Sequence, residues 1–130
     1  MVLPLSSFLQ EMLKARRQRF PEDEWVFFAV GARGHLQEPK RWVSKVAGAS
    51  GIKFGLHDLR RTFITIAESL DISVYTLKRL LNHCEGRDVT GGYIVLDVER
   101  LRAPMQRITD FLLDAVNGVS KPKVIGFARG

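Results

Sequence analysis

Gly55-Leu56-His57-Asp58-Leu59-Arg60-Arg61-Thr62-Phe63-Ile64-Thr65-Ile66-Ala67-Glu68-Ser69-Leu70 is the stretch whose reading decides the fold. Leu59, Phe63, Ile66, Ala67 and Leu70 recur at helical spacing from Asp58 onward, which makes one stripe apolar and leaves the other polar. Asp58 falls in the first turn, where the helix dipole favours a negative charge. Asp71-Ile72-Ser73 then breaks the pattern. Ser73 is placed to cap a following helix with apolar positions Val74, Leu77, Leu80 and Leu81, running up to Asn82-His83. Two helices separated by so short a break form a tight helical hairpin, and the chain is expected to be mainly α.

Upstream, Pro4-Leu5-Ser6-Ser7 reads as the exit from an extended segment into a helix, with Ser7 and Gln10 spaced as a capping box and Phe8, Leu9, Met12 and Leu13 as its apolar stripe. This helix should end near Phe20-Pro21, and Lys14, Arg16, Arg17 and Arg19 in its last turns read as a solvated face suited to the negative end of the dipole. Trp25-Val26-Phe27-Phe28-Ala29-Val30 is continuously apolar, hence either a buried strand or one turn of core, so at most a short strand remnant is expected. Gly31 to Glu38 reads as loop, and a further helix is expected from Pro39 through Val46, closed by Gly48 and Gly51. Downstream of a polar loop from Glu85 to Gly92, Val98, Leu101, Met105, Ile108, Leu112 and Ala115 form a helical seam that Pro104 should bend or split. Tyr75 sits near apolar positions and reads as a packing residue.

At 130 residues, 45% hydrophobic and 26% charged, the chain suits one globular domain. No apolar run approaches the roughly 20 residues that cross a bilayer, and the N-terminus lacks a basic region followed by an apolar stretch, so a soluble, intracellular protein is expected. Cys84 is the lone cysteine, which excludes an internal disulfide. A net charge of +6 and a pI near 9.9 suit a polyanionic partner such as nucleic acid.

Four residues could carry chemistry: His57, Arg60, His83 and Tyr93. His57 and Arg60 are three apart at a helix start, so their side chains share a face near the positive end of the dipole. A phosphate there would meet a guanidinium fork, an imidazole donor and free backbone N–H groups. A phenol is a usable covalent nucleophile, and cations and imidazoles suit the charge that builds on phosphoryl oxygens. No carboxylate cluster or Cys/His set has metal-ligand spacing; adjacent His83-Cys84 is a poor chelator.

His57-Asp58-Leu59-Arg60-Arg61-Thr62-Phe63 resembles the HxxR box of tyrosine recombinases of the phage-integrase type. Leu80-Leu81-Asn82-His83 resembles their "LLGH" box, with Asn82 where glycine is more usual; Gly92-Tyr93 resembles the nucleophile position, and Leu3-Pro4-Leu5-Ser6 the "PLS" segment. The likeness runs from the start of the chain to about residue 116. It implies that residues 1–117 are the C-terminal portion of an integrase catalytic domain and residues 118–130 a tail, flexible or docked on a neighbour.

The resemblance further implies site-specific DNA recombination without metal or cofactor. Tyr93 would attack a DNA phosphate to leave a 3′-phosphotyrosyl link and a free 5′-hydroxyl, with Arg60, His57 and His83 stabilising the phosphoryl oxygens. Partners would be double-stranded DNA at attachment sites and other integrase protomers, and the location cytoplasmic, on DNA. The Gly91-Gly92 pair reads either as a hinge for the nucleophile or as an ordinary turn. The family's upstream catalytic arginine and hairpin lysine have no match here, so the chain is expected to be a fragment of a longer integrase, or a natural remnant, and inactive alone. A non-catalytic DNA-binding or regulatory remnant is the contrasting reading, and a type IB topoisomerase a further one.

Overall fold

The computed structural model describes residues 2–31, 33–82 and 98–119. Among them the chain is mainly helical and forms no strand. Helix α1 spans Ser7–Arg19, α2 Lys40–Ser50, α3 Leu56–Ser69 and α4 Val74–Leu80; a 3-10 turn over Val98–Leu101 leads into α5, Arg102–Asn117.

The core lies where α3, α4 and α5 meet. Ile66 and Ala67 of α3, Ile72 of the connection, Leu77 and Leu80 of α4, Leu101 and Ile108 are buried, with Phe63, Ile64, Leu70, Leu81, Met105 and Phe111 packed against them. The expected hairpin of α3 and α4 is present, and its corner is a Schellman motif. Asp71 adopts φ +54°, its N–H donates to the Glu68 carbonyl at 3.0 Å, and the Ile72 N–H donates to the Ala67 carbonyl at 3.0 Å. Ser73 caps α4 as expected, its hydroxyl accepting from the Thr76 N–H at 3.2 Å.

The seam of α5 departs from expectation in its second half. Leu101, Met105 and Ile108 face the core, but Phe111 continues the stripe, while Leu112 is 40% exposed. Either spacing, three or four, keeps a residue on one helical face, and here the ring of Phe111 is the one that packs against the core. Pro104 is the third residue of α5, where its missing N–H is one of those left without an intrahelical partner, so it ends the 3-10 turn rather than kinking a long helix.

The first third of the chain corrects several expectations. Ser6, not Ser7, is the N-cap of α1; it is buried, and the Ser7 N–H is taken by the Gln106 side-chain oxygen of α5 at 2.9 Å. Helix α2 runs through Gly48 to Ser50 and closes at Gly51 with φ +71°, because one interior glycine costs only about 1 kcal/mol while Gly51 supplies the left-handed exit.

The run 25–30 is neither a buried strand nor a core turn: Trp25, Val26, Phe27 and Phe28 are 43–56% exposed and Val30 fully so. It folds back on residues 34–36 through one antiparallel bridge, Phe28 to His35, with the Leu36 N–H donating to the Phe27 carbonyl at 2.8 Å and Ala29 to Gly34 at 3.1 Å. Local ring contacts take the place of a core: Phe20 packs edge-on to Phe28 at 5.5 Å and Trp25 against His35 at 4.6 Å. Nor are Arg16 and Arg17 simply solvated. Arg16 Nε donates to the Val26 carbonyl and its guanidinium lies 4.8 Å from the Phe27 ring centre, while Arg17 donates to the Asp23 carbonyl at 2.6 Å. These two arginines fasten the aromatic turn to the end of α1.

Candidate functional site

Helix α3 begins at Gly55, whose extended backbone (φ −117°, ψ 173°) turns the chain into the first helical residue, Leu56. Asp58 closes this start: its carboxylate accepts the Gly55 N–H at 2.9 Å, and its own N–H donates to the Gly55 carbonyl at 3.1 Å. Two of the backbone donors expected to be free for an anion are therefore already engaged, one of them by a carboxylate. An anion at this end of α3 depends on side chains more than on the helix terminus.

The two side chains are one turn apart. His57, the second residue of α3, is exposed. Arg60 is half-buried, and its Nη2 donates to the Leu81 carbonyl at 3.0 Å. That carbonyl ends α4, where backbone oxygens lack intrahelical partners and the helix dipole is negative, so a guanidinium is held there by charge as well as by the hydrogen bond. The next residue, Asn82, has φ +56° and closes the end with its N–H on the Arg79 carbonyl at 3.0 Å. A left-handed residue at this position admits glycine or asparagine with least strain, which accounts physically for Asn82 in a place where the resemblance expects glycine.

The start of α3 and the end of α4, 21 residues apart in sequence, are thus joined by one side chain. His83 follows Asn82 directly; His83 and Tyr93, with the Gly91-Gly92 pair, lie outside the described residues, as does the tail from 120 onward. Tyr75 is half-buried on α4, its ring under the Arg79 guanidinium at 4.7 Å and its hydroxyl accepting from Arg79, in keeping with a packing role.

The chain matches no protein-family model, no curated protein and no solved structure.

Elsewhere, no group of three or more His, Cys, Asp or Glu side chains among the described residues could hold a metal ion, and no described helix is long and apolar enough to cross a membrane. One perturbed pair joins the 3-10 turn to the first residue of α5. Two hydrogen bonds from Arg102, at 2.7 and 2.8 Å, and then its charge hold the Glu99 carboxyl below its ordinary range, and the same contacts raise Arg102. The pair is exposed and belongs to the helix start rather than to the site.

Reading residue types along the chain does not reveal the Arg60 contact, because its acceptor is a main-chain oxygen. A second such tie was equally hidden: Arg107 of α5 donates to the Leu70 carbonyl at the end of α3, at 2.6 Å. The one available signal is an arginine at a core-facing edge of a helix, whose long stem packs while its head needs an acceptor.

Proposed function

We propose that this chain carries the distal part of a tyrosine-recombinase site and serves DNA strand exchange. Tyr93 is the nucleophile: its oxygen bonds to the scissile phosphorus as its proton leaves, and the bond from phosphorus to the 5′ oxygen breaks, with that oxygen taking up a proton. The enzyme is left as a 3′-phosphotyrosyl adduct, and attack by a 5′-hydroxyl of the partner strand reverses the step. One phosphoester is exchanged for another, so no nucleotide cofactor is consumed.

Arg60 presents a planar, permanently charged fork to the non-bridging oxygens, and His57 and His83 add imidazole donors. The observation that carries the reading is the hydrogen bond from Arg60 to the Leu81 carbonyl. It joins the His57–Arg60 helix start to the helix end from which His83 follows, and the resemblance requires those two boxes to serve one phosphate. The net charge of +6 supports a DNA partner.

The test incubates the protein with genomic DNA fragments and quenches the mixture in denaturant. After nuclease digestion, mass spectrometry should find a nucleotide on the peptide holding Tyr93, and Tyr93→Phe should abolish it. An adduct on another residue, or none, defeats the proposal and leaves a DNA-binding scaffold without strand transfer.

A further inference from the structure

We propose that Arg60 is in addition a positioning residue: one edge of its guanidinium clamps the last turn of α4 and the other receives a phosphate oxygen, so that anion binding and order at the end of α4 are coupled. The anion is the phosphate of the reading above, on which that half of the proposal rests; the clamp stands on geometry alone.

Helix α4 has seven residues, too few to be stable by its own hydrogen bonds. Its last turn is closed by the Leu81 N–H on the Leu77 carbonyl and the Asn82 N–H on the Arg79 carbonyl, both at 3.0 Å. The Leu81 carbonyl lies beyond that ladder, and Arg60 Nη2 meets it at 3.0 Å. Both ends of the contact are anchored. Leu80 is buried and Leu81 packs on the core, while Arg60 rides on the helix whose Ile66 and Ala67 are buried in the same core.

A guanidinium is planar with five donors in fixed directions, so holding one N–H on Leu81 aims the others. Among the described residues Arg60 has no second partner, which leaves those donors to an anion. A lysine could reach the carbonyl or a phosphate with its single nitrogen but could not fix one while presenting a fork to the other. The Arg107 tie to Leu70 serves as an internal control, being the same chemistry at the end of α3.

The experiment is amide hydrogen exchange on the DNA-free chain, with and without millimolar inorganic phosphate. Arg60→Gln should speed exchange at Leu81 and Asn82 about three- to tenfold, the worth of one net hydrogen bond. Arg107→Gln should instead speed Asp71 and Ile72 and leave Leu81 and Asn82 unchanged. In the wild type, phosphate should slow Leu81 and Asn82 at least about twofold, with the same midpoint as the shift of the Arg60 Nε–H resonance; in Arg60→Lys, which is also read if Arg60→Gln does not fold, that slowing should vanish.

Unchanged exchange at Leu81 and Asn82 in folded Arg60→Gln, or an equal rise in Arg107→Gln, overturns the clamp. A clamp that ignores phosphate overturns the coupling. If phosphate slows these amides while Tyr93 never acquires a nucleotide, the positioning role stands and the strand-transfer reading falls.

Discussion

Ile108 offers the most direct perturbation of the packing that brings α5 onto α3. It is fully buried, among a cluster that includes Ala67 and Leu77. Ile108→Ala removes three carbons; at about 0.8 kcal/mol each the transfer term alone is roughly 2.4 kcal/mol. Ala67 of the same cluster has only a methyl to move into the gap, so collapse is limited, and the cavity raises the total to roughly 3–4 kcal/mol. Against the roughly 5–15 kcal/mol of an ordinary domain this is a large share. In urea, with a slope of about 2 kcal/mol/M, the midpoint should fall by roughly 1.5–2 M. Val116→Ala, at a position 82% exposed on the same helix, is the control and should change stability by less than about 0.5 kcal/mol. A loss below about 1 kcal/mol for Ile108→Ala would show that the α3–α5 contact is not the core and would remove the frame on which the site stands.

Two further outcomes test local features. Asp71→Gly should raise the melting temperature, by the equivalent of about 1 kcal/mol, because the φ of +54° that an L residue resists costs glycine nothing, whereas Asp71→Ala should lower it; calorimetry on both variants decides. Glu99 has a folded carboxyl value below its ordinary 4.5, so its contribution is complete above that value and is lost as pH falls through the lower folded one. Melting curves between pH 6 and pH 3, in rounded steps of about half a unit, should therefore show a shallower acid decline for Glu99→Gln than for the unaltered chain.

The sequence spoke most clearly where local chemistry and tertiary packing agree. The period of Phe63, Ile66, Ala67 and Leu70 located α3, and Ser73 located the start of α4, since a helix cap is decided by the residue that supplies it. Around residues 25–30 hydrophobicity misled, because an apolar run is buried only if another element covers it, and here the rings are held instead by Arg16, Phe20 and His35. The cap of α1 shifted by one residue for a similar reason: Gln106, 99 positions away, takes the Ser7 N–H and leaves Ser6 to be the cap. At the site, residue types and spacing singled out His57 and Arg60, but not that Arg60 reaches a main-chain oxygen of α4. Such a partner has no side chain and so leaves no trace in a pattern of residue types.

The proposed strand exchange requires His57, Arg60, His83 and Tyr93 to converge on one phosphate. A crystal structure of the protein with a DNA duplex and orthovanadate as the phosphoryl mimic tests this. The vanadate oxygens should lie within hydrogen-bond distance of the Arg60 guanidinium and the imidazoles at 57 and 83, with the Tyr93 hydroxyl in line with the leaving 5′ oxygen. An imidazole at 83 on the far side of α3 from Arg60, or an anion held without Arg60, would contradict it.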